Sequence, residues 1–116
     1  MRIMFKVLLV EDDVNLRRLI HDFLTRQYYD VYACSNGEEA LEIMAHQHID
    51  VVITDIMMPQ VDGFELTKQL RSVEQHLPII MITAKESWQD KKKGFLNGVD
   101  DYLVKPINLD ELSLRL

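Results

Sequence analysis

Three short stretches of this chain are apolar at every position: Val7-Leu8-Leu9-Val10, Val51-Val52-Ile53 and Ile79-Ile80-Met81-Ile82. A strand with one face in water alternates apolar and polar residues. An unbroken run therefore marks a strand covered on both faces, the condition of a parallel sheet sandwiched between helices. Each run is strand-sized and far short of the roughly 20 residues a membrane helix needs. With their flanks they predict strands over Lys6–Val10, Val51–Asp55 and Ile79–Thr83, and the β-branched or aromatic runs Val31–Cys34 and Tyr102–Val104 bring the total to five.

Helical patterns fill the intervals. Leu16, Leu19, Ile20, Phe23 and Leu24 form an apolar stripe, with Arg17, Arg18, Asp22 and Arg26 assigned to the opposite face. Asp13, just before it, reads as an N-cap in preference to a ligand. Ser35-Asn36-Gly37-Glu38 reads as a Ser-x-x-Glu capping box opening a helix that buries Ala40, Leu41, Ile43 and Met44. A third helix is expected from about Phe64 to Val73, with Leu66, Leu70 and Val73 inward, and a fourth, with the weakest stripe, near Trp88 to Asn97. The fifth starts at an Asn108 cap and presents Leu109, Leu112 and Leu116; it is expected to be cut short at Leu116. Strand and helix alternating five times predict an α/β fold, an open, doubly wound (βα)5 sheet of right-handed βαβ units. The 116 residues suit one domain.

Composition narrows the function. Lys and Arg total 13 against 19 Asp and Glu, a formal net charge of -6, which argues against a nucleic-acid phosphate-binding face on this segment. The single cysteine, Cys34, has no partner for a disulfide and no Cys or His at metal-ligand spacing, and it reads as a small buried hydrophobe. His21, His46, His48 and His76 share no ligand spacing and are assigned to the surface or its boundary. The amino terminus lacks a signal-peptide stretch, so a cytoplasmic protein with no membrane partner is expected.

Ligands of doubly wound sheets bind beyond the carboxyl ends of the strands. Those ends hold Glu11, Asp12 and Asp13 after the first strand, Asp55 at the third, Thr83 at the fourth and Lys105-Pro106 after the fifth. If the first, third, fourth and fifth strands are neighbours, three or four carboxylates, a hydroxyl and an ammonium share one pocket. Such carboxylates repel unless protonated or neutralised by a cation, and a hard divalent ion such as Mg²⁺ is the economical partner for oxygen ligands. With Mg²⁺ held by Asp12 and Glu11, Asp55 is placed as a carboxylate nucleophile toward phosphorus, with Lys105 and Thr83 stabilising the transferred group.

Val10-Glu11-Asp12-Asp13, Asp55 followed by Met58-Pro59 and Asp62-Gly63, Thr83-Ala84, and Tyr102-x-x-Lys105-Pro106 together resemble the receiver domain of bacterial two-component response regulators, most like those of winged-helix transcription regulators. The resemblance runs from Lys6 to Leu116. It implies the flavodoxin-like strand order 2-1-3-4-5, Asp55 as phosphoacceptor, and Mg²⁺ bound by Asp12, Asp55, the backbone carbonyl of Met57 and, through water, Glu11. It also implies a phosphoryl contact from Lys105, a cis bond to Pro106, and a switch in which the Thr83 hydroxyl moves and Tyr102 swings inward. A sensor histidine kinase would be the phosphodonor, and DNA would be reached only through an effector domain beyond residue 116. A homodimer on phosphorylation is expected through Lys91, Asp100, Asp101, Glu111 and Arg115. The expected role is a signalling switch, not an enzyme. A Mg²⁺-dependent phosphohydrolase with an aspartate nucleophile is the competing reading, although such enzymes place the nucleophile on the first strand, where this chain has Glu11. A freestanding receiver acting through protein contacts is the other alternative. A nucleotide or flavin site is disfavoured because the loop after the first strand is acidic.

Overall fold

Continuous apolar runs need cover on two sides, and the fold supplies it. The computed structural model describes residues 5–55, 63–73, 76–83 and 100–116. Five strands, β1 (Lys6–Val10), β2 (Asp30–Cys34), β3 (Val51–Asp55), β4 (Ile79–Thr83) and β5 (Asp101–Val104), pair in parallel in the order β2-β1-β3-β4-β5. Four helices are described: α1 (Val14–Arg26), α2 (Gly37–His46), α3 (Gly63–Val73) and α4 (Leu109–Arg115). The helix expected near Trp88 to Asn97 lies outside the described residues. Among the described residues no helix is long and apolar enough to cross a membrane.

Because side chains alternate across a strand, each apolar run feeds two cores. Leu8, Val10, Val52, Ile79, Met81 and Tyr102 pack with Ala40 of α2 and with Leu66 and Leu70 of α3. On the other face Val7, Leu9, Ile53, Ile80, Ile82 and Leu103 pack with Ile20 and Leu24 of α1 and Leu112 of α4. Both faces of β3 are filled, and all five of its residues are buried. Cys34 is buried at the end of β2, where burial pushes its thiol up to about 12, so it stays a neutral thiol.

Three local assignments change. Leu19, expected in the stripe of α1, is 50% exposed, while Arg17, expected on the solvent face, is half-buried. Ile20 and Leu24 are fully buried, Leu16 and Phe23 pack against the same core, and Arg17 is half-buried at the edge, so the inward direction of α1 is turned from the centre of its apolar stripe. The cap of α2 is Asn36, not Ser35: Asn36 Oδ1 accepts from the Glu39 amide at 2.9 Å. Glu39 is the acid of the box, and its Oε1 accepts from Ser35 Oγ at 2.6 Å and from Asn36 Nδ2 at 2.8 Å. Asp13 and Asn108 cap α1 and α4 as anticipated.

α1 ends in a Schellman motif. The Tyr29 amide donates to the Leu24 carbonyl at 3.1 Å and the Tyr28 amide to that of Thr25 at 3.1 Å. The left-handed position of this motif, usually glycine, is Tyr28 at φ 69°.

Candidate functional site

The chain leaves β1 toward β2 on one side and reaches β3 on the other, so the crevice between the ends of β1 and β3 is the switch point of the sheet. Val10 lies opposite Thr54 in the register, which sets Glu11 and Asp12 beside Asp55. One oxygen from each of Glu11, Asp12 and Asp55 lies within 4.8 Å of the others. Glu11 is 0% exposed, Asp55 is buried and Asp12 is open to solvent.

Lys105, directly after β5, reaches past β4 to this cluster. Its Nζ donates to Asp55 Oδ2 at 2.7 Å and stands 3.3 Å from Glu11 Oε1. The Lys105–Pro106 peptide bond is cis. Burial pulls the Lys105 ammonium down, but the hydrogen bond and charge of Asp55, helped by Glu11, outweigh it, and the net shift is upward. Lys105 is thus a fixed cation. Glu11 is also shifted upward, which for a carboxyl favours the neutral form: burial, opposed by the Asp13 amide and reinforced by the Asp55 charge, pushes it up to about 7.

The second oxygen, Glu11 Oε2, accepts from the Asp13 amide at 3.1 Å. Oε1 has no hydrogen-bond partner among the described residues; its contact with Lys105 is an ion pair only, the ammonium being hydrogen-bonded to Asp55. A buried carboxylate oxygen left without a hydrogen bond is costly. Three carboxylates facing one ammonium also leave an excess of negative charge. An all-oxygen donor set with an orphaned buried oxygen fits a hard divalent cation such as Mg²⁺. Glu11, Asp12 and Asp55 are the side chains that would hold it.

Thr83 ends β4, one register step beyond Ile82, which faces Asp55, so its backbone borders the site. Its side chain lies outside the described residues, as do Met57 and Lys91. Tyr102 is buried in the core under α2 and α3. Of the expected dimer face, Asp101, Glu111 and Arg115 come together across β5 and α4: Arg115 meets Asp101 Oδ2 at 2.9 Å and Glu111 Oε1 at 3.7 Å. Asp100 is engaged elsewhere. Its Oδ2 accepts from the Ile79 amide and from Arg71 NH2 of α3, each at 2.7 Å, fastening α3, β4 and β5 together. Sequence reading did not find that staple, nor a second long-range contact, in which Arg17 NH1 donates to the Glu11 carbonyl at 2.8 Å. The i, i+3, i+7 alignment of Arg17 with Ile20 and Leu24 was the available signal.

Residues 7–116 match the family model described as the response regulator receiver domain. The chain belongs to the response-regulator receiver family. It is 42% identical over 113 residues to the transcriptional regulatory protein CiaR of Streptococcus pneumoniae, a match covering 97% of this chain and 50% of that protein. The chain therefore spans about half the length of the curated relatives it matches. The chemotaxis response regulator CheY4 of Vibrio cholerae superposes with a TM-score of 0.92 at 35% identity, over 97% of this chain and 96% of that one. A structure of the Saccharomyces cerevisiae phosphotransfer protein Ypd1 with the receiver domain of Ssk1 matches with a TM-score of 0.90 at 31% identity, over 97% and 86% of the two chains. Receiver domains are signalling switches, and transcription regulators are among this chain's relatives.

Proposed function

We propose that this receiver domain is switched by phosphorylation of Asp55 with Mg²⁺ as cofactor, the phosphoryl group coming from a sensor histidine kinase. The observation that carries this reading is the cluster of Glu11, Asp12 and Asp55 with Lys105 hydrogen-bonded to Asp55 Oδ2. Asp12 and Asp55, with the Met57 carbonyl and, through water, Glu11, would hold the ion, which supplies positive charge to the equatorial phosphoryl oxygens. A carboxylate oxygen of Asp55 attacks phosphorus in line with the departing imidazole nitrogen of the kinase. The P–N bond breaks, and the nitrogen keeps the electron pair. Lys105, held protonated by its carboxylate partners, exchanges its bond to Asp55 for one to the phosphoryl group. The Thr83 hydroxyl approaches that group; Tyr102 is already buried in the core, so its ring has no inward swing left to make.

The output reading is a DNA-binding effector attached beyond residue 116 and a homodimer formed on phosphorylation, in a cytoplasmic protein. CiaR, a transcriptional regulatory protein about twice this length, supports it. The co-crystal of Ypd1 with the Ssk1 receiver supports a histidine-bearing partner as phosphodonor. The near full-length match to CheY4 favours a second reading, a freestanding receiver that acts through protein contacts.

Intact-mass spectrometry after incubation with Mg²⁺ and acetyl phosphate tests the core of this reading. A single phosphoryl adduct that requires Mg²⁺ and vanishes in Asp55→Asn is the expected result. An adduct that persists in Asp55→Asn would overturn the acceptor assignment.

A further inference from the structure

Arg17 stands on the second turn of α1, outside the carboxylate cluster, yet its guanidinium donates to the Glu11 carbonyl at 2.8 Å. Glu11 is gripped from several sides. Its amide donates to the Cys34 carbonyl of β2 at 3.0 Å, and its Oε2 accepts from the Asp13 amide at 3.1 Å. Asp13 in turn caps α1 through the amides of Asn15 and Leu16. Amide bonds thus fix where the loop begins and where the helix starts. The carbonyl between Glu11 and Asp12 governs the direction in which Asp12 leaves the strand, and Arg17 is the side chain that holds it. We infer that Arg17 is a positioning residue for the cation site, clamping the Glu11–Asp12 peptide so that both carboxylates face Asp55. This inference rests on the Mg²⁺ reading of the site.

Two features separate positioning from other roles. A guanidinium near the cluster repels a cation, so if its charge were the dominant effect, removing it would tighten Mg²⁺ binding. A positioning role predicts the opposite sign. Groups that orient metal ligands typically change metal affinity by about 10- to 100-fold when removed. Arg17 also lines a groove between α1 and β2 together with Val14, Arg18 and Ala33. Arg17 is only half-buried, so a shorter side chain admits water to the carbonyl it abandons, and truncation is compatible with folding.

The test is Mg²⁺ titration by isothermal calorimetry on wild type, Arg17→Ala, Arg17→Lys and Asp12→Asn, each checked for native far-UV circular dichroism. The expected result is binding by wild type, a loss of about tenfold in Arg17→Ala and partial recovery in Arg17→Lys, which restores one donor and the charge. Should Arg17→Ala fail to fold, Arg17→Gln takes its place with the same expectation. Unchanged or tighter binding in the neutral variant, with wild type binding and Asp12→Asn not, overturns the inference and leaves the site reading standing. If wild type binds no Mg²⁺, the site reading falls and takes this inference with it.

Discussion

Glu11 is fully buried beside two other carboxylates, and its carboxyl holds a proton up to about pH 7 instead of the ordinary 4.5. The folded protein therefore binds more protons than the unfolded chain between these values, and stability falls as pH rises through that interval. The stabilisation is complete below about 4.5 and lost above about 7. In chelator, urea unfolding of wild type should show stability declining by on the order of 1–3 kcal/mol from pH 4.5 to 8 relative to Glu11→Gln, whose amide does not titrate. A parallel pH dependence in the two proteins would refute the assignment. Deprotonation of Glu11 and occupation by a cation are linked, since a carboxyl group draws a cation, directly or through water, in its charged form. The Asp55–Lys105 pair has a different character: the ammonium is only partly buried and its shift is upward, so it stays charged through this range.

The elements are closed by side chains chosen for different reasons. Asp13, Asn36 and Asn108 each accept amide bonds that a helix start cannot satisfy internally. The end of α1 instead carries an unfavourable residue. Tyr28 adopts φ 69°, a conformation that costs a residue with a Cβ about 1–2 kcal/mol, and its side chain is 66% exposed. The hydrogen bonds of the motif come from the backbone, and glycine would keep them. Tyr28→Gly is expected to raise unfolding free energy by about 1 kcal/mol, read as a higher urea midpoint with unchanged slope. A lower midpoint would show that the exposed ring contributes more than the backbone costs. Rotation of α1 is a second property of an element rather than of a residue. Burying Ile20 and Leu24 against β1 and β3 turns Leu19 outward and Arg17 toward the loop after β1.

On the scale of the molecule, contacts far apart in sequence tie the sheet ends together. Lys105 bridges 50 positions to Asp55, and Asp100 fastens Arg71 of α3 and the first residue of β4 to the start of β5. Arg115 pairs within the molecule with Asp101 of β5 and with Glu111 of its own helix α4. A dimer through this face must exchange such pairs for intermolecular ones. Each exposed pair contributes only about 0–1 kcal/mol, so several would have to act together and association should weaken with salt. Sedimentation should show the mass doubling on phosphorylation and the doubling lost in Glu111→Lys. Doubling that survives charge reversal would rule out this face.

By itself, the sequence determined the parts of this protein that depend on short-range pattern. Unbroken, strand-sized apolar runs such as Val7–Val10 read as strands covered on both faces, and in a parallel sheet the side chains that terminate them collect at one edge, which is why Asp55, Asp12 and Lys105 were legible in the sequence. The strand order came from family resemblance, since an apolar run does not reveal which strand it pairs with. Tertiary structure alone decided the rest. A stripe reports that a helix is covered, but not its exact rotation, so Leu19 is turned outward and Arg17 is half-buried. Propensity allows both Ser35 and Asn36 as caps, and the chain entry to α2 selects the second. The orphaned oxygen of Glu11 and the Asp100 staple arise from the arrangement of groups up to tens of residues apart, where burial and charge act through space and leave no periodic trace along the chain.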